Sequence, residues 1–194
     1  MITSPPNLLT VSRILVIPVI VGMFWLDGNI ARWVTMGLFV AAGVTDYLDG
    51  MVARSMGKIS NLGRFMDPVA DKLLVSSVLM MLVWTNRISG LMILPALVIL
   101  CREIMVSGLR EFLAGIKIGM PVSKLAKWKT GFQMVALGFL IVGTAGPAFF
   151  HPLVTTVAIG ETLLTIAAVL TLVTGYDYLR AGLRHMAEAD ESAD

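Results

Sequence analysis

The sequence predicts an all-α fold: a polytopic membrane protein of six transmembrane helices, with N- and C-termini in the cytoplasm and a short interfacial N-terminal segment. Three observations carry this. Of 194 residues, 57% are hydrophobic and 14% charged, against roughly 45–50% and 25% in soluble domains, which excludes a water-soluble globule. The apolar residues come in runs of about 20, enough to cross a ~30 Å hydrocarbon core at ~1.5 Å per residue. The basic residues also segregate. With the N-terminus inside, the cytoplasmic loops carry Arg54, Lys58, Arg64, Arg110, Lys117, Lys124, Lys127, Lys129, Arg180 and Arg184, against Arg32 and Arg87 outside, which sets the orientation.

The elements follow in order. No basic residue precedes the first apolar run and no small-residue cleavage site follows it, so it reads as a retained span and not a signal peptide. Pro5-Pro6 bars an earlier helix start, and residues 7–13 mix polar and apolar positions in the manner of an interfacial segment. The spans are expected at residues 8–26, 30–52, 65–84, 91–113, 130–145 and 153–179. Between them lie turn residues: Asp27-Gly28-Asn29, the stretch 86–90, the basic loop 115–129, and Gly146-Pro147 through His151-Pro152. Trp25, Trp33, Trp84 and Trp128 fall near span ends, where an amphipathic indole sits well. Residues 1–185 form one domain, and 186–194 an acidic, disordered tail. The single cysteine, Cys101, lies in an apolar run and is expected in the core, so no disulfide forms within the chain. The 13 methionines read as packing, His151 has no second ligand nearby, and Asp177 stays open between a structural and a functional role.

Chemistry concentrates at the cytoplasmic end of the second and third spans. The sequence there is Asp46-Tyr-Leu-Asp49-Gly50-Met-Val-Ala53-Arg54, followed by Gly63-Arg-Phe-Met-Asp67-Pro-Val-Ala-Asp71. At about 100° per residue, the five named positions of the first stretch fall within roughly 140° of one helix face, and Gly63, Asp67 and Asp71 within about 80° of the next. A carboxylate near the bilayer centre costs at least ~2.5–3.5 kcal/mol, so four on facing helices need counter-charge. Two divalent cations supply it. Aspartate oxygens without His or Cys suit Mg²⁺, Mn²⁺ or Ca²⁺ and not zinc, and a pair of such ions is the usual clamp for phosphoryl displacement. Gly50 and Ala53 leave room beside the ions, and Arg54 offers a fork for phosphate.

Two other readings of these residues stand beside this one. The aspartates could form structural ion pairs with Arg54, Arg64 and Lys72, although so few cations neutralise four acids poorly. They could instead line the path of an ion-coupled transporter, although such proteins place acids near the midplane and show internal repeats, which this sequence lacks.

The pattern D-x2-D-G-x2-A-R-x8-G-x3-D-x3-D is matched from Asp46 to Asp71 without exception, and it resembles the signature of the CDP-alcohol phosphatidyltransferase family. The resemblance implies a six-helix membrane enzyme, typically homodimeric, that displaces CMP from a CDP-linked lipid with an alcohol. It implies that Asp46 and Asp67 bridge both metals (Mg²⁺ or Mn²⁺), that Asp49 completes the first site, and that Asp71 binds the second and acts as base. It also implies contacts to the CDP moiety of CDP-diacylglycerol from Asn7, Thr10, Gly50, Ala53, Arg54, Ser60 and Gly63.

The acceptor is read from the remaining polar groups. Arg102 and Arg110 are about 80° apart around the fourth span, and Lys127 and Lys129 lead into the fifth, so the four could form a basic pocket for a phosphate. Glu103 and Glu111 are expected to orient the neighbouring arginines. For some of these cations the plain alternative is positive-inside topology and headgroup binding. Stretches 7–13, 67–72, 102–111 and 127–136 are most similar to bacterial family members that use sn-glycerol 3-phosphate. That acceptor is therefore expected, with cardiolipin-type and inositol-phosphate-type transferases as the alternatives within the family. Membrane lipids are expected partners and nucleic acid is not. The resemblance places the protein in the bacterial cytoplasmic (inner) membrane as a multi-pass enzyme with its active site facing the cytoplasm.

Overall fold

A computed structural model describes residues 5–56, 61–115, 124–147 and 154–191, with side chains described except at 5–9, 47, 49–56, 61–62, 64–65, 124, 185 and 187–191. Among the described residues the protein is all-helical: α1 (Pro5–Met23), α2 (Asn29–Met56), α3 (Asn61–Trp84), α4 (Ile93–Gly115), α5 (Lys124–Val142) and α6 (Thr156–Glu191). Short 3-10 turns at Gly90–Met92 and Gly143–Ala145 adjoin α4 and α5. By length and composition, three stretches are long and apolar enough to cross a membrane, Gly90–Gly115, Leu125–Ala145 and Thr156–Arg184, while Thr10–Met23 is a shorter apolar helix.

Several boundaries differ from the sequence expectation for one reason. Apolar runs mark the part of a helix suited to hydrocarbon, whereas the helix itself continues through good helix formers such as Lys, Arg, Ala, Met and Glu. Accordingly α5 begins at Lys124, inside the expected basic loop, and α6 runs through Glu191, into the stretch read as a tail. The N-terminal segment is not a separate element. Pro5 and Pro6 sit in the first turn of α1, where the missing N–H groups are not needed, and the helix continues unbroken through residues 7–13. Cys101 is exposed on α4 and not part of the packed core. His151 lies outside the described residues.

The chain forms two compact units. Unit 1 comprises Met1–Ser89 and Ala136–Gly160. Its centre is α1, which packs against both α2 and α3 and buries Ile17, Ile20 and Phe24 with Phe39, Ala70, Leu74 and Val78. At the far end of these helices Asn86 adopts φ 55°, and the backbone N–H groups of Arg87 and Ile88 return to the Leu82 carbonyl, closing the end of α3. There Trp25 and Trp84 rings meet at 5.0 Å. Arg87 lies 5.0 Å from the Phe24 ring centroid and donates to the Ile141 carbonyl at 2.6 Å. Burial, and after it the charge of Arg32, lowers the Arg87 pKa to about 10. Arg32 in turn donates to Thr144 at 2.9 Å.

Unit 2 comprises Gly90–Val135 and Glu161–Asp194. Val106, Leu109 and Leu113 of α4 cluster with Ala126 of α5 and Tyr178 of α6. Gly182 admits the Leu109 side chain, since a Cβ there would sit 2.8 Å from Leu109 Cδ1. Gly175 does the same for Arg102, whose Cγ would lie 3.0 Å from an added Cβ. The small residues of α6 thus let an arginine lie flat against the helix.

Candidate active site

The carboxylates belong to unit 1. Asp46 is on α2, and Asp67 and Asp71 stand one turn apart on α3. Each of the first two is held by α1. The Thr10 hydroxyl donates to Asp67 Oδ1 at 2.6 Å, and Arg13 Nη1 donates to Asp46 Oδ1 at 2.6 Å. The Arg13–Asp46 ion pair is asymmetric: the arginine side chain is 1% exposed and the aspartate side chain 45%. Thr10 and Arg13 are three residues apart, hence on one face of α1, and they bring carboxylates from two different helices to neighbouring positions along it.

Gly63 is buried and Asp71 half-buried, while Lys72 turns back to the Pro68 carbonyl of its own helix at 3.0 Å. Among the described residues, an ion pair in the site comes from Arg13, a residue not singled out in the sequence. A signal for it exists, because an arginine in an apolar span needs an acid or an anion as partner.

The described donors here are aspartate oxygens only, the donor chemistry of a hard divalent cation. Each α1 contact uses one oxygen of its carboxylate. Among the described residues no group of three or more Asp, Glu, His or Cys side chains converges. The expected fourth ligand, Asp49, and the expected CDP contacts Asn7, Gly50, Ala53, Arg54 and Ser60 have side chains outside the described residues.

The basic residues belong to unit 2. Lys129 is 2% exposed and pairs with Glu103, whose Oε1 also lies 3.7 Å from Arg102 Nη1. Arg102 donates to the Thr174 hydroxyl at 3.3 Å. Its guanidinium lies 5.5 Å from the Tyr178 ring centroid. Arg110 shares that ring at 5.0 Å and donates to the Tyr178 hydroxyl at 3.0 Å. Three of the four expected acceptor cations are thus brought together, Arg102 and Arg110 through Tyr178, and Arg102 and Lys129 through Glu103. Lys127 is exposed on α5, two residues from Lys129 and so about 200° away around the helix.

Among the described residues, these contacts set one carboxylate, Glu103, against three cations. On the same helices α4, α5 and α6, Arg102 Nε, Gln133 Oε1 and Thr171 Oγ1 are buried with no hydrogen-bond partner among the described residues. A buried polar atom left in this state costs ~1–3 kcal/mol; the Arg102 Nε–H and the Thr171 hydroxyl are donors that an anion could accept from, whereas Gln133 Oε1 is an acceptor. Glu111 and Asp177 are exposed.

The sequence profile of the CDP-alcohol phosphatidyltransferase family matches residues 3–174. The chain belongs to the CDP-alcohol phosphatidyltransferase family. It is 46% identical over 176 residues to a protein of Rickettsia typhi named CDP-diacylglycerol--glycerol-3-phosphate 3-phosphatidyltransferase, a match covering 91% of this chain and 95% of that one. Proteins of the same name from Cereibacter sphaeroides and Pseudomonas fluorescens are 37% and 39% identical, over 94% and 93% of this chain and 97% and 91% of theirs. The family span includes Thr10, Arg13, all four aspartates and the cations of α4 and α5. Tyr178 lies beyond it, and no spacing rule in the sequence pointed to that residue.

Proposed function

We propose that the chain transfers the phosphatidyl group of CDP-diacylglycerol to sn-glycerol 3-phosphate, giving phosphatidylglycerol phosphate and CMP in phospholipid biosynthesis. The observation that carries this is the 46% identity, over nearly the whole length of both chains, to relatives bearing that activity as their name. The cation cluster of unit 2 supports it chemically. A phosphomonoester brings the charge that Arg102, Arg110 and Lys129 would hold, whereas the serine zwitterion has no need of several cations.

In this reading Asp46, Asp49, Asp67 and Asp71 hold two divalent cations. When bound, these neutralise the diphosphate and stabilise CMP as it departs. Asp71 takes the proton of the acceptor 1-hydroxyl, whose oxygen attacks the lipid-side phosphorus as the bond from that phosphorus to the CMP oxygen breaks. The specified signature positions include no Ser, Cys or His, so transfer is direct, without a covalent enzyme intermediate. Asn7, Thr10, Gly50, Ala53, Arg54, Ser60 and Gly63 receive the CDP-lipid. All six helices cross a bacterial cytoplasmic membrane with both termini inside, in a homodimer. This orientation keeps the soluble nucleotide and glycerol phosphate on the side where they are made.

The test is CMP release by the purified protein with CDP-diacylglycerol, Mg²⁺ or Mn²⁺ and a panel of alcohols. Release with sn-glycerol 3-phosphate, and not with serine, inositol phosphate or phosphatidylglycerol, is expected. Preferred turnover of phosphatidylglycerol would overturn the acceptor assignment.

A further inference from the structure

We infer that α1 is the carboxylate-orienting element of the site, with Thr10 and Arg13 acting as positioning residues that hold Asp67 and Asp46 so that each presents its remaining oxygen to a divalent cation. The inference rests on the two-metal reading above. Two side chains one helical turn apart, 1% and 2% exposed, each end at 2.6 Å on Oδ1 of an aspartate from a different helix. Oxygens that would hold a divalent cation must be placed to within about 0.5 Å, and an aspartate with a free terminal torsion does not achieve that alone. A short, charge-assisted hydrogen bond to one oxygen removes the torsional freedom and leaves the other oxygen to the metal.

Arginine suits the Asp46 contact for two reasons. It stays protonated, and its planar fork directs the N–H donors. Its charge also offsets part of the repulsion among the aspartates before any cation binds. The division of labour is therefore by helix: α2 and α3 carry the ligands, and α1 sets their orientation.

Mn²⁺ binding by the detergent-purified full-length protein, without CDP-lipid and read by electron paramagnetic resonance of the free ion, tests this independently of turnover. Arg13→Lys and Thr10→Val should each weaken Mn²⁺ binding by roughly 10- to 100-fold. The Mg²⁺ concentration for half-maximal CMP release should rise in parallel, while KM for glycerol phosphate stays near the wild-type value. Wild-type Mn²⁺ affinity in the folded variants would overturn the inference. An absence of Mn²⁺ binding by the wild-type protein would instead remove the two-metal reading, and this inference with it. If Arg13→Lys does not fold, Thr10→Val, which removes a single hydroxyl, decides alone.

Discussion

Tyr178 accepts a hydrogen bond from Arg110 at 3.0 Å while the same ring lies beneath the Arg102 guanidinium at 5.5 Å. One aromatic side chain of α6 thereby fixes two cations of α4 against their mutual repulsion. Tyr178→Phe keeps the ring and removes the acceptor. The loss of about 1 kcal/mol corresponds to roughly a five-fold fall in kcat/KM for glycerol phosphate. Tyr178→Leu, which also removes both cation–π contacts, should cost more. Steady-state kinetics varying each substrate in turn check this, with KM for CDP-diacylglycerol expected to hold.

Arg110→Ala is predicted to lower kcat/KM for the acceptor by roughly 10- to 150-fold, the equivalent of a ~1.5–3 kcal/mol charge-assisted contact. Lys129→Ala should do the same and also destabilise the protein, because Glu103, 18% exposed, loses its closest cation. The double variant Lys129→Ala/Glu103→Gln should recover thermal stability but not activity. An equal fall in CDP-lipid affinity in Arg110→Ala would mean that this cluster does not divide donor from acceptor.

Asp46→Asn and Asp67→Asn are each expected to abolish CMP release, as is excess chelator acting on the wild type. Their stabilities should differ. Asp46→Asn removes the charge from the Asp46 end of its pair with buried Arg13, weakening a charged hydrogen bond of ~1.5–3 kcal/mol, whereas Asp67→Asn keeps an amide oxygen as acceptor for the neutral Thr10 hydroxyl. Thermal unfolding in chelator should therefore show the larger loss for Asp46→Asn, and equal losses would contradict the asymmetry of the pair.

Orientation is open to labelling. In a Cys101→Ser background, needed because Cys101 is exposed, Ser89→Cys should react with an impermeant thiol reagent applied to intact cells and Arg184→Cys should not. The reverse pattern would place the carboxylates on the side opposite to the CDP-lipid's soluble co-substrates.

Much of this protein was legible locally. The all-helical class followed from composition and run length, and six helices are present among the described residues, three of them lying in stretches long and apolar enough to cross a membrane. The family was legible in the resemblance of the pattern D-x2-D-G-x2-A-R-x8-G-x3-D-x3-D, matched from Asp46 to Asp71, to that family's signature. Helix ends were less legible at Lys124 and beyond residue 185, where charged residues stop an apolar run without stopping a helix.

The sequence alone singled out candidate residues, four aspartates and a set of cations, each by type and spacing within one stretch of chain. What holds them became visible in the packing of the helices. Arg13 meets Asp46 across 33 residues, Thr10 meets Asp67 across 57, and Arg110 meets Tyr178 across 68. Periodicity relates side chains on one helix and is silent about which helix packs beside it. A buried Arg13 requires some counter-charge, and several acids could have answered; the packing of α1 against α2 brings Asp46 to it, because desolvation makes the pair worth forming only where the two side chains are brought within hydrogen-bond distance.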